Sequence, residues 1–317
     1  MIDFRYHVVS LVAVLIALAT GILLGSSVLS GPLYDNLNKT TDQLRQERDQ
    51  LRGDISDLQR DKNYAAKFTE ALAPTAVSQR LTAERVVIVA LPGAQKGTLQ
   101  QVSNIVETAG AKVTGQIGIT DAYADADKER VLDDLVNQLR PTTVDLPQDT
   151  STYDRAAIEI ASLVMTKETA QADTPPTGAD GGVLPGLKAG GFVTTKGHPD
   201  NKATLAVLVA GPAPKASDGI DRANGAYLTL ARELDTRGKA VVLGGPESSA
   251  GDRGVVNALR SNDELASSVS SVDTADTIYG QIAVVYALQA ETNGQPPGQY
   301  GISGTTDGPL PPQATSG

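Results

Sequence analysis

From His7 to Gly31 the chain reads HVVSLVAVLIALATGILLGSSVLSG, 25 residues without a single Asp, Glu, Lys or Arg. No other stretch limits the fold so strongly. Its apolar part, Val8 to Leu29, covers 22 residues, and as a helix rising 1.5 Å per residue it would measure roughly 33 Å, the hydrocarbon thickness of a bilayer. Export signals have apolar cores of about 7–15 residues and end at a small-residue cut site, for which Gly25-Ser26-Ser27 is the candidate. The apolar run continues past that point, so the segment reads as a retained anchor over residues 1–33, with Val8, Leu11, Val14, Leu18, Ile22 and Leu29 facing lipid. Arg5 on one flank and Lys39 as the first cation on the other give a weak bias that places the N-terminus in the cytoplasm and the remainder outside it.

The rest of the chain is acidic. Of the net charge of −10 over 317 residues, residues 1–33 contribute zero and residues 34–72 contribute −1, from seven Lys/Arg and eight Asp/Glu, which leaves −9 beyond them. A body of that sign lacks the basic face that nucleic acid requires. There is no Cys, hence no disulfide framework, and with aromatics at 4% the core must be Val, Ile, Leu and Ala.

Gly31-Pro32 is expected to bend or interrupt the helix, because proline lacks the backbone donor and crowds the preceding turn. A seven-residue repeat follows over residues 34–73. Leu37, Leu44, Leu51 and Leu58 recur in one phase, continued by Ala65 and Leu72, and this is the d-row of a coiled coil. The a-row reads Thr41, Arg48, Ile55, Lys62 and Thr69, with Ile55 its one good apolar knob. So polar a seam makes a weak homodimer and suits a regulated or heterotypic contact, with Leu37, Leu44, Leu51, Ile55 and Leu58 at the interface. A solvated helix folded back on the body is the alternative.

From Arg85 the pattern becomes that of an α/β domain spanning residues 80–294. RVVIVALPG, KVTGQIGIT, ATLAVLVAGPAP and KAVVLGGPES read as strands, the apolar ones buried on both faces. Between and after them lie amphipathic helices at Leu99–Ala109, Asp127–Leu139, Asp154–Lys167, Gly219–Arg237 and Thr277–Glu291, while ETAQADTPPTGADGG marks a loop or hinge. The alternation implies right-handed crossovers and a three-layer, mostly parallel sheet. The tail over residues 295–317 is rich in Gly, Pro and small polar residues and is expected not to pack.

Catalytic motifs are missing. GAQKGT at Gly93–Thr98 has the wrong order for a phosphate-binding loop, and PESSAG lacks the first Gly of a nucleophile elbow around Ser249. His198 is the one histidine beyond the anchor, and Met165, His198, Met1 and His7 are too scattered for a soft-metal site. Met165 reads as core, and the pairs Asp133-Asp134 and Asp125/Asp127 as solvated helix surface. No enzyme, cofactor or resident metal is expected. In open α/β sheets ligands enter at the carboxyl ends of the strands, which here are Pro92, Gly93, Gly211, Gly244 and Gly245.

The opening MIDFRYHVVSLVAVLIALATGILLGS, the heptad segment, the α/β body and the GQYG element at Gly298–Gly301 together resemble the actinobacterial copper transport protein B (MctB) family, which includes SteB-type cell-division proteins. The resemblance implies one of two roles. The first is an envelope protein, anchored through one membrane helix, that binds a SteA-like membrane protein or a peptidoglycan hydrolase and promotes septal wall remodelling, as a homodimer or hetero-oligomer. The second is a copper transport or efflux channel component, placed in the outer membrane, that limits intracellular copper. Lipid-facing barrel strands alternate apolar and polar residues, whereas the strands here are continuously apolar and interleaved with helices. That pattern favours the anchored interaction protein.

Overall fold

The computed structural model describes residues 4–139, 150–169, 172, 182–215 and 218–312. It divides into two compact units, residues 1–65 and 66–317. Most of the loop expected at 168–182 lies outside the described residues, as do residues 313–317 of the tail.

One helix, α1, runs from Phe4 to Val77. Gly31-Pro32 does not interrupt it. A proline removes a single donor from the ladder, a cost of about 3 kcal/mol in a helix interior, and the bonded turns on either side keep the helical path. The described residues of the first unit all belong to this helix. Its last turns belong to the second unit, where Ala73 and Val77 are buried in the core.

The body is built on seven strands: β1 (Arg85–Ala90), β2 (Lys112–Ile119), β3 (Val193–Gly197), β4 (Leu205–Val209), β5 (Ala240–Gly244), β6 (Ser270–Val272) and β7 (Gln299–Tyr300). Their order is β3-β2-β1-β4-β5-β6-β7, parallel except for the β2–β3 pair. Connections from β1 run outward to one side and those from β4 to the other, so the strand order reverses between these two neighbours.

Side-chain alternation builds the layers. Val87 and Val89 of β1, Ala206 and Leu208 of β4, and Val241 and Leu243 of β5 face one core. That core is closed by α3 (Glu129–Leu139), α4 (Thr152–Val164), α5 (Val183–Ala189), α6 (Ile220–Arg237) and α7 (Val255–Arg260). Val86, Ile88 and Ala90, with Leu205, Val207 and Val209, face the other core, under α2 (Lys96–Thr108), α9 (Ile278–Thr292) and the end of α1. A short α8 (Asp263–Ala266) precedes β6. The continuously apolar strands are therefore buried on both faces, as their composition requires.

Three strands and three short helices depart from the sequence expectation. β3 pairs antiparallel at the edge and is largely solvent-facing, so its VTTKG carries no buried-strand pattern. β6 is three residues long and two of them are serine. β7 lies in the tail expected not to pack. There Gln299 and Tyr300 align with Ser271 and Val272, Tyr300 is buried, and the chain continues in contact with the body to Pro311.

Candidate functional site

The anchor positions Val8, Leu11, Val14, Leu18 and Ile22 are all exposed, and Phe4–Gly25 forms a helix long and apolar enough to cross a membrane. The side chain of Leu29 lies outside the described residues. Thr20 hides its hydroxyl by donating to the Ile16 carbonyl at 2.7 Å, so it presents no polar spot. Further along α1, Leu37, Leu44, Leu51, Ile55 and Leu58 are more than half exposed. Among them stand short-range ion pairs such as Arg48–Asp49 and Arg60–Asp57, which are solvated and contribute little.

At the strand ends the structure brings Gly93 and Gly211 together and leaves no space between them. Gly93 adopts φ +80°, and a Cβ on Gly211 would lie 2.5 Å from the Gly93 carbonyl carbon. The neighbouring chain ends are bonded onward as well: Leu91 N–H donates to Val209 O, Ala210 N–H to Gly244 O and Gly245 N–H to Val272 O. A Cβ on Gly244 would meet the Ala275 side chain at 2.8 Å. Ser249 donates its hydroxyl to the Pro246 carbonyl at 2.6 Å and is held as a turn residue, not a nucleophile. The point where strand order reverses is thus filled by backbone contact, and Pro92, Gly93, Gly211, Gly244 and Gly245 form a tight seam where an open sheet ordinarily offers a cleft.

Tyr123, just after β2, is fully buried with its ring centroid 6.2 Å from that of Tyr153. Burial pushes the Tyr123 phenol upward, and burial together with Asp121 and Tyr153 pushes Tyr227 up to about 12. These hydroxyls stay protonated and cannot serve as bases near neutral pH. Asp133, expected to be solvated, is paired with Arg155 and is partly structural, and Asp154 pairs with Arg232 at 2.9 Å. Met165 is buried and His198 sits in the loop after β3, its backbone N–H donating to Thr114 O. Among the described residues no three His, Cys, Asp or Glu side chains gather as a metal site.

The GQYG element has a physical role that its sequence does not announce. Asp273, fully buried just after β6, accepts N–H bonds from Ile302 and Ser303 at 2.9 Å and pairs with Arg260 at 3.0 Å. The Arg260 guanidinium also donates to the carbonyls of Ser303 at 2.6 Å and Tyr300 at 2.8 Å, and to the Ser271 hydroxyl at 2.8 Å. Gln299 accepts from that same hydroxyl and donates to the carbonyls of Ala266 and Val269. Gly301, at φ +141°, packs on the Asp273 carboxylate where a side chain would collide. A buried charge pair is stable only when its remaining hydrogen-bonding capacity is met, and here the last strand meets it. Arg260 and Asp273 are 13 residues apart and far from GQYG in sequence, so nothing in the local pattern marks them as one unit. Over this clamp, Thr274, Tyr279, Ile282, Ile302 and Leu310 with Thr69 of α1 line an apolar recess of about 230 Å³.

The family model described as copper transport outer membrane protein, MctB, matches residues 1–311. The chain belongs to the MctB family. Proteins named copper transporter MctB from Mycobacterium tuberculosis (strain H37Rv) and Mycobacterium bovis are each 31% identical over 314 residues, covering 95% of this chain and 96% of theirs. The Mycobacterium leprae protein of the same name is 29% identical over 312 residues, with the same coverage. The match to the MctB model thus includes anchor, heptad segment, sheet and the clamped terminal strand.

Proposed function

We propose that this MctB-family chain is a single-pass, membrane-anchored envelope component of copper transport, N-terminus in the cytoplasm and α/β body outside, that acts by recruiting protein partners. The copper assignment rests on the names carried by its relatives. The mode of action rests on one observation: Leu44, Leu51, Ile55 and Leu58 lie exposed on the same helix as the apolar anchor. An apolar row of seven-residue spacing in water lowers its free energy by packing against another helix. A pore made by the body itself is disfavoured, because the described sheet is open, ends at β3 and β7, and carries helices on both faces.

Copper is then a cargo whose passage this protein supports, with no resident metal or catalytic group assigned to the chain. The test measures cellular copper in a strain lacking the gene, complemented by the native chain or by one with Leu44, Leu51 and Leu58 replaced by Ser. Restoration by the native chain alone supports partner recruitment, and equal restoration by both refutes it. Native failure refutes the copper role.

The exposed heptad row also supports the second reading, that of a SteB-type partner controlling septal peptidoglycan remodelling through a SteA-like protein or a hydrolase. A septation defect at normal copper content in the complemented strain would select it.

A further inference from the structure

We infer that the groove between α2 and the β2–β3 edge of the sheet binds a short extended peptide with a free carboxylate, independently of the heptad row. Beyond α2 on that face, the described sheet surface is left uncovered. Ile117 and Ile119 of β2 turn to the opposite core, so Gln116 and its register partner Lys196 point to the α2 side. A surface awaiting a helix would be apolar there, whereas this one is amide, ammonium and glycine. The pairing of β1 with β2 slips by one residue at Thr114, a bulge of the kind that re-aims side chains at functional edges.

The resulting groove holds about 520 Å³ and is lined by both walls: Lys96, Gln100, Ser103 and Glu107 from α2, facing Gln116 and Lys196 across an apolar floor of Leu99 and Val113. The α2 residues share one helix face, and at 1.5 Å per residue they run roughly 16 Å from Lys96 to Glu107. That length fits about five extended residues. Its charges are ordered. Lys96 begins α2 at the carboxyl side of the sheet, Lys196 lies midway along β2, and Glu107 stands near the amino end of β2. Among the described residues, neither lysine nor Glu107 uses its charged end in a hydrogen bond or ion pair. In a body of net charge −9, two unpaired ammonium groups on one groove select an anion, Glu107 selects an ammonium at the far end, and amides and a hydroxyl between them match a peptide backbone.

The test is calorimetric titration of the full-length protein in detergent micelles with the pentapeptide Ala-Gly-Ala-Gly-Ala, its C-terminal amide, its N-acetyl form, and acetate alone. The free peptide is expected to bind saturably. Amidation, Lys96→Gln or Lys196→Gln is expected to weaken it by about tenfold or more, the scale of a charge-assisted hydrogen bond. Glu107→Gln is expected to remove the preference over the N-acetyl form. Thermal unfolding of the three variants should match the native protein, since these side chains are exposed. No saturable binding up to about 5 mM, equal affinity for acid and amide, or acetate binding as tightly as the peptide would each overturn the inference.

Discussion

Leucines in the first helix and in the sheet meet opposite surroundings: Leu44 is 59% exposed, whereas Leu205 on β4 is 0% exposed. Both are the same residue in a regular element, so the difference lies in where each segment finds apolar partners. The body supplies its own, with each central strand sending alternate residues into two cores. In residues 4–65 the described apolar side chains are exposed, and on the proposed reading they are covered from outside the chain, by lipid at the anchor and by protein at the heptad row. Stability and function are thereby separated along the sequence, and substitutions in the two regions should have unlike effects.

The largest effect is expected at the clamp. Asp273→Ala leaves the Arg260 charge buried without its partner and should cost about 3–5 kcal/mol, read as a lower denaturation midpoint and as protease cleavage within residues 299–312. Leu205→Ala removes a fully buried side chain and should cost about 2–5 kcal/mol. Replacing Leu44, Leu51 and Leu58 together by Ser should shift the unfolding of the body by no more than about 0.5 kcal/mol while abolishing crosslinking to the partner. A large loss of body stability in that triple variant would erase the contrast between the regions.

The finest test is a pH dependence. Burial raises the Glu291 carboxyl from its ordinary 4.5 to about 8, against partial relief from the Ser270 hydroxyl and the Val241 amide. An acid with a folded pKa above its unfolded value holds its proton more tightly when folded. Its contribution is therefore most favourable below about pH 4.5, declines as pH rises to about 8, and is constant beyond. Glu291→Gln should flatten that decline, leaving stability near pH 5 little changed and raising it at pH 8.

Much of the fold is legible in the sequence. β1, β4 and β5 stand out as continuous apolar runs, β2 only as a mixed Val/Ile stretch, and α2, α3, α4, α6 and α9 by their spacing or caps; Gly110, at φ +95° behind α2, ends that helix as a left-handed glycine does. The edges were not legible, because their stability is not local. β6 is polar and becomes a buried strand only because Arg260 and Gln299 satisfy Ser271 and the Gly298 amide satisfies Ser270, and the Gly/Pro-rich chain around β7 is fixed only when Asp273 receives the Ile302 and Ser303 amides. The strand-end glycines stand out in the sequence, but the sequence does not show that Gly93 and Gly211 touch. The groove under α2 is not legible for a related reason, since Lys96 and Lys196 are a hundred residues apart and line one groove only through an edge strand without an apolar signature.

Because β7 and its clamp come from residues 298–303, the sheet acquires its outermost member only after the other six strands have been made. A message truncated before codon 298 would yield a product with Arg260 and Asp273 stranded beneath an unfinished border. Cleavage near residue 298 should therefore act as an off switch for the body.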